Sequence, residues 1–299
     1  MYNPVSTYRL QFHKDFTFED FERIIPYLQK LGISTVYASP IFQSTPGSTH
    51  GYDSLNPHRV NPEIGTEEQL KELHGQLTER GMGWLQDIVP NHMAFDPGNP
   101  WLMDVMEKGP FSVFTPFFDV AWTSQLFHGR LMVPFLGDPL EEVIKKGELK
   151  VAFNGDRLML QYYDNAYPLH LRSYTTILET GEPPRSEAIT QLLNQLDDTH
   201  QIEEAVTYGL RWEEFRKQFA VLMDSEAGAA YLQRCLDAVN NNPALIQQIS
   251  DEQVYRLCHW QETDKVINFR RFFTVNGLIC LNIQDPQVFQ YFHQYIKSL

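Results

Sequence analysis

The strongest constraint on this fold is an alternation in the first ninety residues: strand, helix, strand, helix, strand. "TYRLQF" (7–12) reads as a short strand. Thr17 then caps a helix whose apolar residues Phe18, Phe21, Ile24, Ile25, Leu28 and Leu31 recur at helical spacing. Gly32 closes that helix as a left-handed cap. "ISTVYAS" (33–39) is a second strand, stopped by Pro40, and a long loop follows over about 40–65. Thr66 and Gln69 form a capping box for a helix that ends at Gly81, and 82–89 in "GMGWLQDIVPNH" (81–92) is the third strand. Elements in this order, joined by right-handed crossovers, make a parallel sheet, either open or closed into a barrel.

After His92 the alternation stops. Residues 93–180 are rich in aromatics, Gly and Pro, with strand-like pieces "KVAFNG" and "RLMLQYY". Residues 185–260 read as helical, in "SEAITQLLNQL", "WEEFRKQFAVLMD" and "AAYLQRCLDAVN". The last thirty hold a loop and an amphipathic helix over 286–299. The expected division is 1–92, an insertion over 93–265, and a return segment over 266–299.

Charge and motifs remove several function classes. With 24 basic and 38 acidic residues the chain carries a net charge of −14, which opposes nucleic-acid backbones and suits a neutral polar substrate. Cys235, Cys258 and Cys280 lie far apart and read as reduced, buried thiols. The N-terminus has no signal-peptide pattern and no apolar run reaches membrane-spanning length, so a soluble cytoplasmic protein without a membrane partner is expected. "GMG" precedes its strand and lacks the third glycine of a dinucleotide loop. No P-loop and no G-x-S-x-G elbow occur, and His50, Asp53, Asp87 and His92 lack metal-ligand spacing. No cofactor and no metal are expected.

Two strand ends carry the candidate chemistry. Asp87, Asn91 and His92 end the third strand, and the loop after the second holds "GSTHGYD" with His50, Tyr52 and Asp53. Taken alone, such clusters serve equally well to satisfy loop backbone groups. In parallel β/α folds, however, ligands bind at the carboxyl ends of strands, where both groups would sit.

The segments "TYRLQF", "YASPIFQSTPGSTHGYD", "NPEIGT", "DIVPNHMA" and "INFRRFFTVNGL" resemble the N-terminal half of the maltooligosyltrehalose synthases, the trehalose-forming branch of the alpha-amylase family (glycoside hydrolase family thirteen). "DIVPNH" points to the wider family, and "PGSTHGYD" with the "RRFF" segment to the branch. The resemblance implies an α/β fold: the N-terminal part of a (β/α)8 TIM barrel, about three βα units with a large, mostly helical insertion after strand three. It implies that Asp87 is braced by an arginine and Asn91 holds a loop. His92 would bond a glucose primary hydroxyl, Tyr52 would stack on that sugar, Asp53 would orient the arginine, and His50 would line the subsite. Arg270 and Arg271 would line the substrate channel or brace a loop. Trp101, Phe111, Phe114, Phe117, Phe118 and Trp122 have two readings, an insertion core or platforms for outer glucose units. Asn282 and Gln284 stand where the family has charged residues.

The implied reaction converts the reducing-end α-1,4 bond of a maltooligosaccharide to the α,α-1,1 bond of trehalose. This is a (1→4)-α-D-glucan 1-α-D-glucosylmutase, an isomerase acting by intramolecular transfer. The family's nucleophile lies in a strand that would follow Leu299, so no catalytic carboxyl is assigned within the chain. The expected partners are an α-glucan and the missing C-terminal half, or self-association. The alternatives are a non-catalytic glucan-binding or partner module and an alpha-amylase-type hydrolase.

Overall fold

The expected capping box at Thr66 forms, and the cap at Thr17 is a second box, completed by Asp20. Thr17 and Thr66 accept the backbone N–H of Asp20 and Gln69, whose side chains in turn accept the N–H of the cap residue. These caps set the start of the two helices flanking the first sheet in a computed structural model describing residues 4–183 and 186–299. The chain divides into two compact units. One runs to Pro100 and resumes over Arg271–Leu299, and the other is Trp101–Arg270.

The first unit contains β1 (Thr7–Leu10), α1 (Phe18–Lys30), β2 (Thr35–Ala38), β3 (Phe42–Ser44), β4 (Ser54–Val60), α2 (Glu67–Glu79), β5 (Gly83–Gln86) and β6 (His92–Ala94). β1, β2 and β5 form a parallel sheet with β2 in the centre. One face presents Val36 and Ala38 to Phe18, Phe21, Ile25 and Leu28 of α1 and to Leu70, Leu73 and Leu77 of α2, all buried. The indole of Trp84 stacks on Phe12 at 5.8 Å within this core. On the opposite face Arg9, Tyr37 and Leu85 lie in one register row, and Leu85 is 49% exposed. That face and the two outer strand edges lack further strands among the described residues.

Each strand is shorter than its apolar run. β5 stops at Gln86 instead of Val89, and the last rung is Asp87 N–H to Ala38 O at 3.0 Å. Pro40 and Pro90 supply no N–H. The Gln86 amide also bonds Ser39 O and Asp87 O, taking carbonyls that a ladder would need. The stretch expected as loop holds the antiparallel pair β3–β4, whose Phe42, Leu55 and Val60 are buried.

The second unit runs through α3 (Pro100–Lys108), β7 (Leu131–Leu136), α4 (Leu140–Lys145), β8 (Leu149–Phe153), β9 (Leu158–Tyr162) and β10 (Asn165–Pro168). It continues with α5 (Leu171–Leu178), α6 (Glu187–His200), α7 (Ala205–Met223), α8 (Glu226–Asn240), α9 (Pro243–Asp251) and β11 (Tyr255–His259). β8, β9 and β10 are antiparallel, and β11, which follows the run of helices α5 to α9, pairs parallel with β7. Trp101, Phe117 and Phe118 are buried, with Trp101 stacked on Phe114 at 5.4 Å, as core residues of this unit.

The chain then returns to the first unit through β12 (Leu278–Cys280), antiparallel to β6, and α10 (Pro286–Ser298). Asp285 caps α10 by accepting the N–H groups of Gln287 and Val288. His58 Nε2 donates to Tyr291 O at 2.7 Å, and the Tyr295 hydroxyl donates to Glu67 Oε2 at 2.6 Å.

Candidate functional site

The loop between β3 and β4 is pressed against the end of β2. Gly51 has φ +73°, and a Cβ there would lie 2.7 Å from Pro40 O, so only glycine fits. Asp53 fastens the loop from inside: the hydroxyls of Thr45 and Ser48 donate to its two carboxylate oxygens. His50 Nδ1 accepts the Tyr52 N–H at 3.0 Å and lies 3.7 Å from Asp53 Oδ1. The backbone is thereby set to project Tyr52 towards the strand tips.

The Tyr52 hydroxyl donates to Asp87 Oδ2 at 2.6 Å and accepts from Arg9 Nη2 at 3.0 Å. Arg9 Nη1 also donates to Asp87 Oδ2 at 3.3 Å, and the guanidinium sits 4.5 Å above the Tyr37 ring. The bond to Asp87, followed by burial, raises the pKa of the Tyr52 phenol. The phenol therefore stays protonated and its ring is held from the hydroxyl end.

His92 lies below, 2% exposed and stacked on Phe272 at 4.1 Å. Its Nε2 is 3.0 Å from Tyr52 O, and because a carbonyl only accepts, Nε2 carries the proton. Nδ1 faces the Asn91 amide at 3.2 Å. Burial lowers the pKa of the imidazole, outweighing the bond to Tyr52 O and the charge of Asp53, so the ring is neutral near pH 7.

The structure thus joins His50, Tyr52, Asp53, Asp87 and His92 in one bonded cluster, with Asn91 at its edge. Arg9 is the residue that sequence reasoning missed. The resemblance implied an arginine beside Asp87 and Asp53 without assigning it to any residue of this chain. Arg9 reaches Asp87, and two hydroxyls satisfy Asp53. The signal lay in "TYRLQF", where Arg9 falls on the strand face opposite Leu10.

The two later arginines have other partners. Arg270 belongs to the second unit, where its guanidinium is 3.6 Å from the Asp119 carboxylate and 72% exposed. Arg271 donates to Asn276 Oδ1 at 2.5 Å and to Thr274 O at 3.4 Å, which braces the loop before β12. Among the described residues, no group of three or more His, Cys, Asp or Glu side chains is gathered to hold a metal ion. No described helix is long and apolar enough to cross a membrane.

Residues 21–113 match the family model of the alpha amylase catalytic domain. A putative maltooligosyl trehalose synthase of Mycobacterium tuberculosis is 41% identical over 140 residues, covering 44% of this chain and 18% of that protein. Alpha-amylase 2 of Dictyoglomus thermophilum is 44% identical over 71 residues, covering 24% of this chain and 12% of that protein. A crystal structure of maltooligosyl trehalose synthase superposes on 99% of this chain with a TM-score of 0.70 at 29% identity, using 31% of its own length. For the maltooligosyltrehalose synthase of Arthrobacter ramosus the TM-score is 0.67 at 30% identity, with 99% and 29% covered. This chain is therefore similar to maltooligosyl trehalose synthases along nearly its whole length, while spanning under a third of each of these proteins.

Proposed function

We propose that this chain is the N-terminal portion of a maltooligosyl trehalose synthase. It would supply the first three βα units of a TIM barrel (1–92 and 266–299) and the insertion (93–265). The observation that carries this reading is the reach of the likeness. Resemblance to that enzyme extends through the insertion and the return segment, whereas the match to the alpha amylase model covers 21–113. An amylase-type hydrolase accounts for the first part alone.

The cluster's geometry supports a sugar subsite. The Tyr52 ring is 36% exposed and fixed at its hydroxyl, and so offers a rigid face to an apolar sugar face. His92 and the Asp53-fastened loop form its floor. A sugar hydroxyl that bonded His92 would take the place of Asn91 at Nδ1. Retaining transfer needs two carboxyl groups about 5–5.5 Å apart, one as nucleophile and one as acid/base. Asp87 and Asp53 are committed to Tyr52, Arg9 and loop hydroxyls, so neither takes that role. The catalytic pair would come from the rest of the barrel, which would also cover the open face of Arg9, Tyr37 and Leu85. Without it, the uncovered sheet edges favour self-association. Released glucose would be held away from water and re-attacked through its anomeric hydroxyl.

The test is reconstitution in the cytoplasm, the proposed location. The chain is co-expressed with the C-terminal portion of a maltooligosyl trehalose synthase and given maltopentaose. Trehalosyl product from the pair and none from the chain alone is the expected result. Glucose and maltose from the pair would assign a hydrolase instead. Binding without turnover in the pair would leave a glucan-binding module. Turnover by the chain alone would overturn the assignment of the catalytic pair to the rest of the barrel.

A further inference from the structure

The second unit contains a cleft of about 590 Å³ that the proposed reaction does not use, well within the usual size of a ligand pocket. Phe111 forms one wall, its ring stacked on Tyr208 at 4.4 Å.

Three features of the lining offer groups that no described residue engages. His128 is held at φ +49° and is followed by Gly129 at φ +78°, a left-handed turn that glycine adopts freely and that other residues take at a modest cost. Its side chain is exposed, and among the described residues no hydrogen bond, ion pair or ring contact engages the imidazole to offset the strain. Arg172 lies in the first turn of α5, where the helix end is already positive, and among the described residues no acidic side chain pairs with it. Arg130 Nε is buried with no acceptor, and its Nη1 is 3.8 Å from Asp251 Oδ1. That gap is too long for a hydrogen bond, yet one ligand hydroxyl could bridge both groups.

The charges decide the ligand class. Two guanidinium groups face two carboxylates, Asp251 and Glu252, the latter tied to the hydroxyls of Ser173 and Thr176. A free anion would meet both acids. A neutral polyol donates to carboxylates and accepts from guanidinium groups at once, and an apolar ring face can lie on Phe111. We infer that this cleft is a second carbohydrate site, binding a short stretch of neutral α-linked glucose oligomer. The choice of sugar rests on the function proposed above.

The experiment is hydrogen exchange on the 299-residue chain with maltoheptaose, paired with calorimetric titration of variants. Sugar should protect 109–111, 128–130 and 170–172. Arg172→Ala should weaken that binding by roughly tenfold or more, since a bond to a charged donor is lost from an exposed side chain. His128→Gly should weaken it too while leaving the melting temperature unchanged or raised, because strain is relieved. Protection confined to 48–53 and 87–92 would overturn this site and leave the proposed function standing. Protection at 128–130 alone would keep this site while removing support for the pocket in the first unit. Binding of inorganic phosphate that depends on Arg172, without sugar binding there, would overturn the neutral-ligand assignment.

Discussion

Replacing Glu107 with glutamine should remove a pH dependence from the second unit. Glu107 is 2% exposed, with Oε1 3.2 Å from Arg157 Nη1. Burial is the largest influence and raises the pKa of its carboxyl to about 7, against the opposing charges of Arg157 and Lys108. Unfolded, the group returns to 4.5. Between these values the folded state holds a proton that the unfolded state has released. The contribution to stability is therefore full below the unfolded value and is lost as pH rises through about 7. The difference of 7 − 4.5 units, at 1.36 kcal/mol each, amounts to about 3 kcal/mol. Glu107→Gln keeps the shape and cannot titrate, so its stability relative to the parent should rise by about 3 kcal/mol from pH 4 to pH 8. Urea unfolding followed by tryptophan fluorescence reads this unit, since of the five tryptophans only Trp84 lies outside it. Parallel stability curves for parent and variant across that range would refute the reasoning.

Three further substitutions probe the cluster at the strand tips. Tyr52→Phe removes the hydroxyl shared by Asp87 and Arg9 and should cost about 1–2 kcal/mol in urea unfolding, a value kept low because the site is partly exposed. It should also weaken maltooligosaccharide binding by freeing the ring, and unchanged affinity would count against the subsite. Gly51→Ala places a Cβ against Pro40 O at a positive φ and should destabilise by about 1–3 kcal/mol, read as a lower melting temperature. Arg9→Met keeps an apolar stem over Tyr37 while losing the ion pair, so its cost should be about 1 kcal/mol or less and should shrink in high salt. A salt-independent loss would show that packing on Tyr37, and not charge, is what Arg9 contributes.

Local chemistry alone specified much of the first unit. Thr17, Thr66, Gly32 and Gly81 mark helix ends because caps and positive φ are decided within a few residues. The apolar period from Phe18 to Leu28 sets which face of α1 meets the sheet, and the loop carrying Tyr52 and the strand end at Asp87 were legible from the same alternation. Where the strands stop was not, because Gln86 competes for carbonyls only once β2 and β5 lie side by side. Nor was the β3–β4 pair, whose short strands are separated by a glycine-rich stretch with no period of its own. Arg9 is 78 residues from Asp87 and 43 from Tyr52, and a charged strand residue does not announce its partner. The pairing of His92 with Cys280 likewise spans the whole second unit. Caps and periodicity are properties of neighbours along the chain, and the sequence by itself determined those. Which distant carboxylate, hydroxyl or ring meets a given side chain depends on how the strands close, and only the tertiary structure decided that.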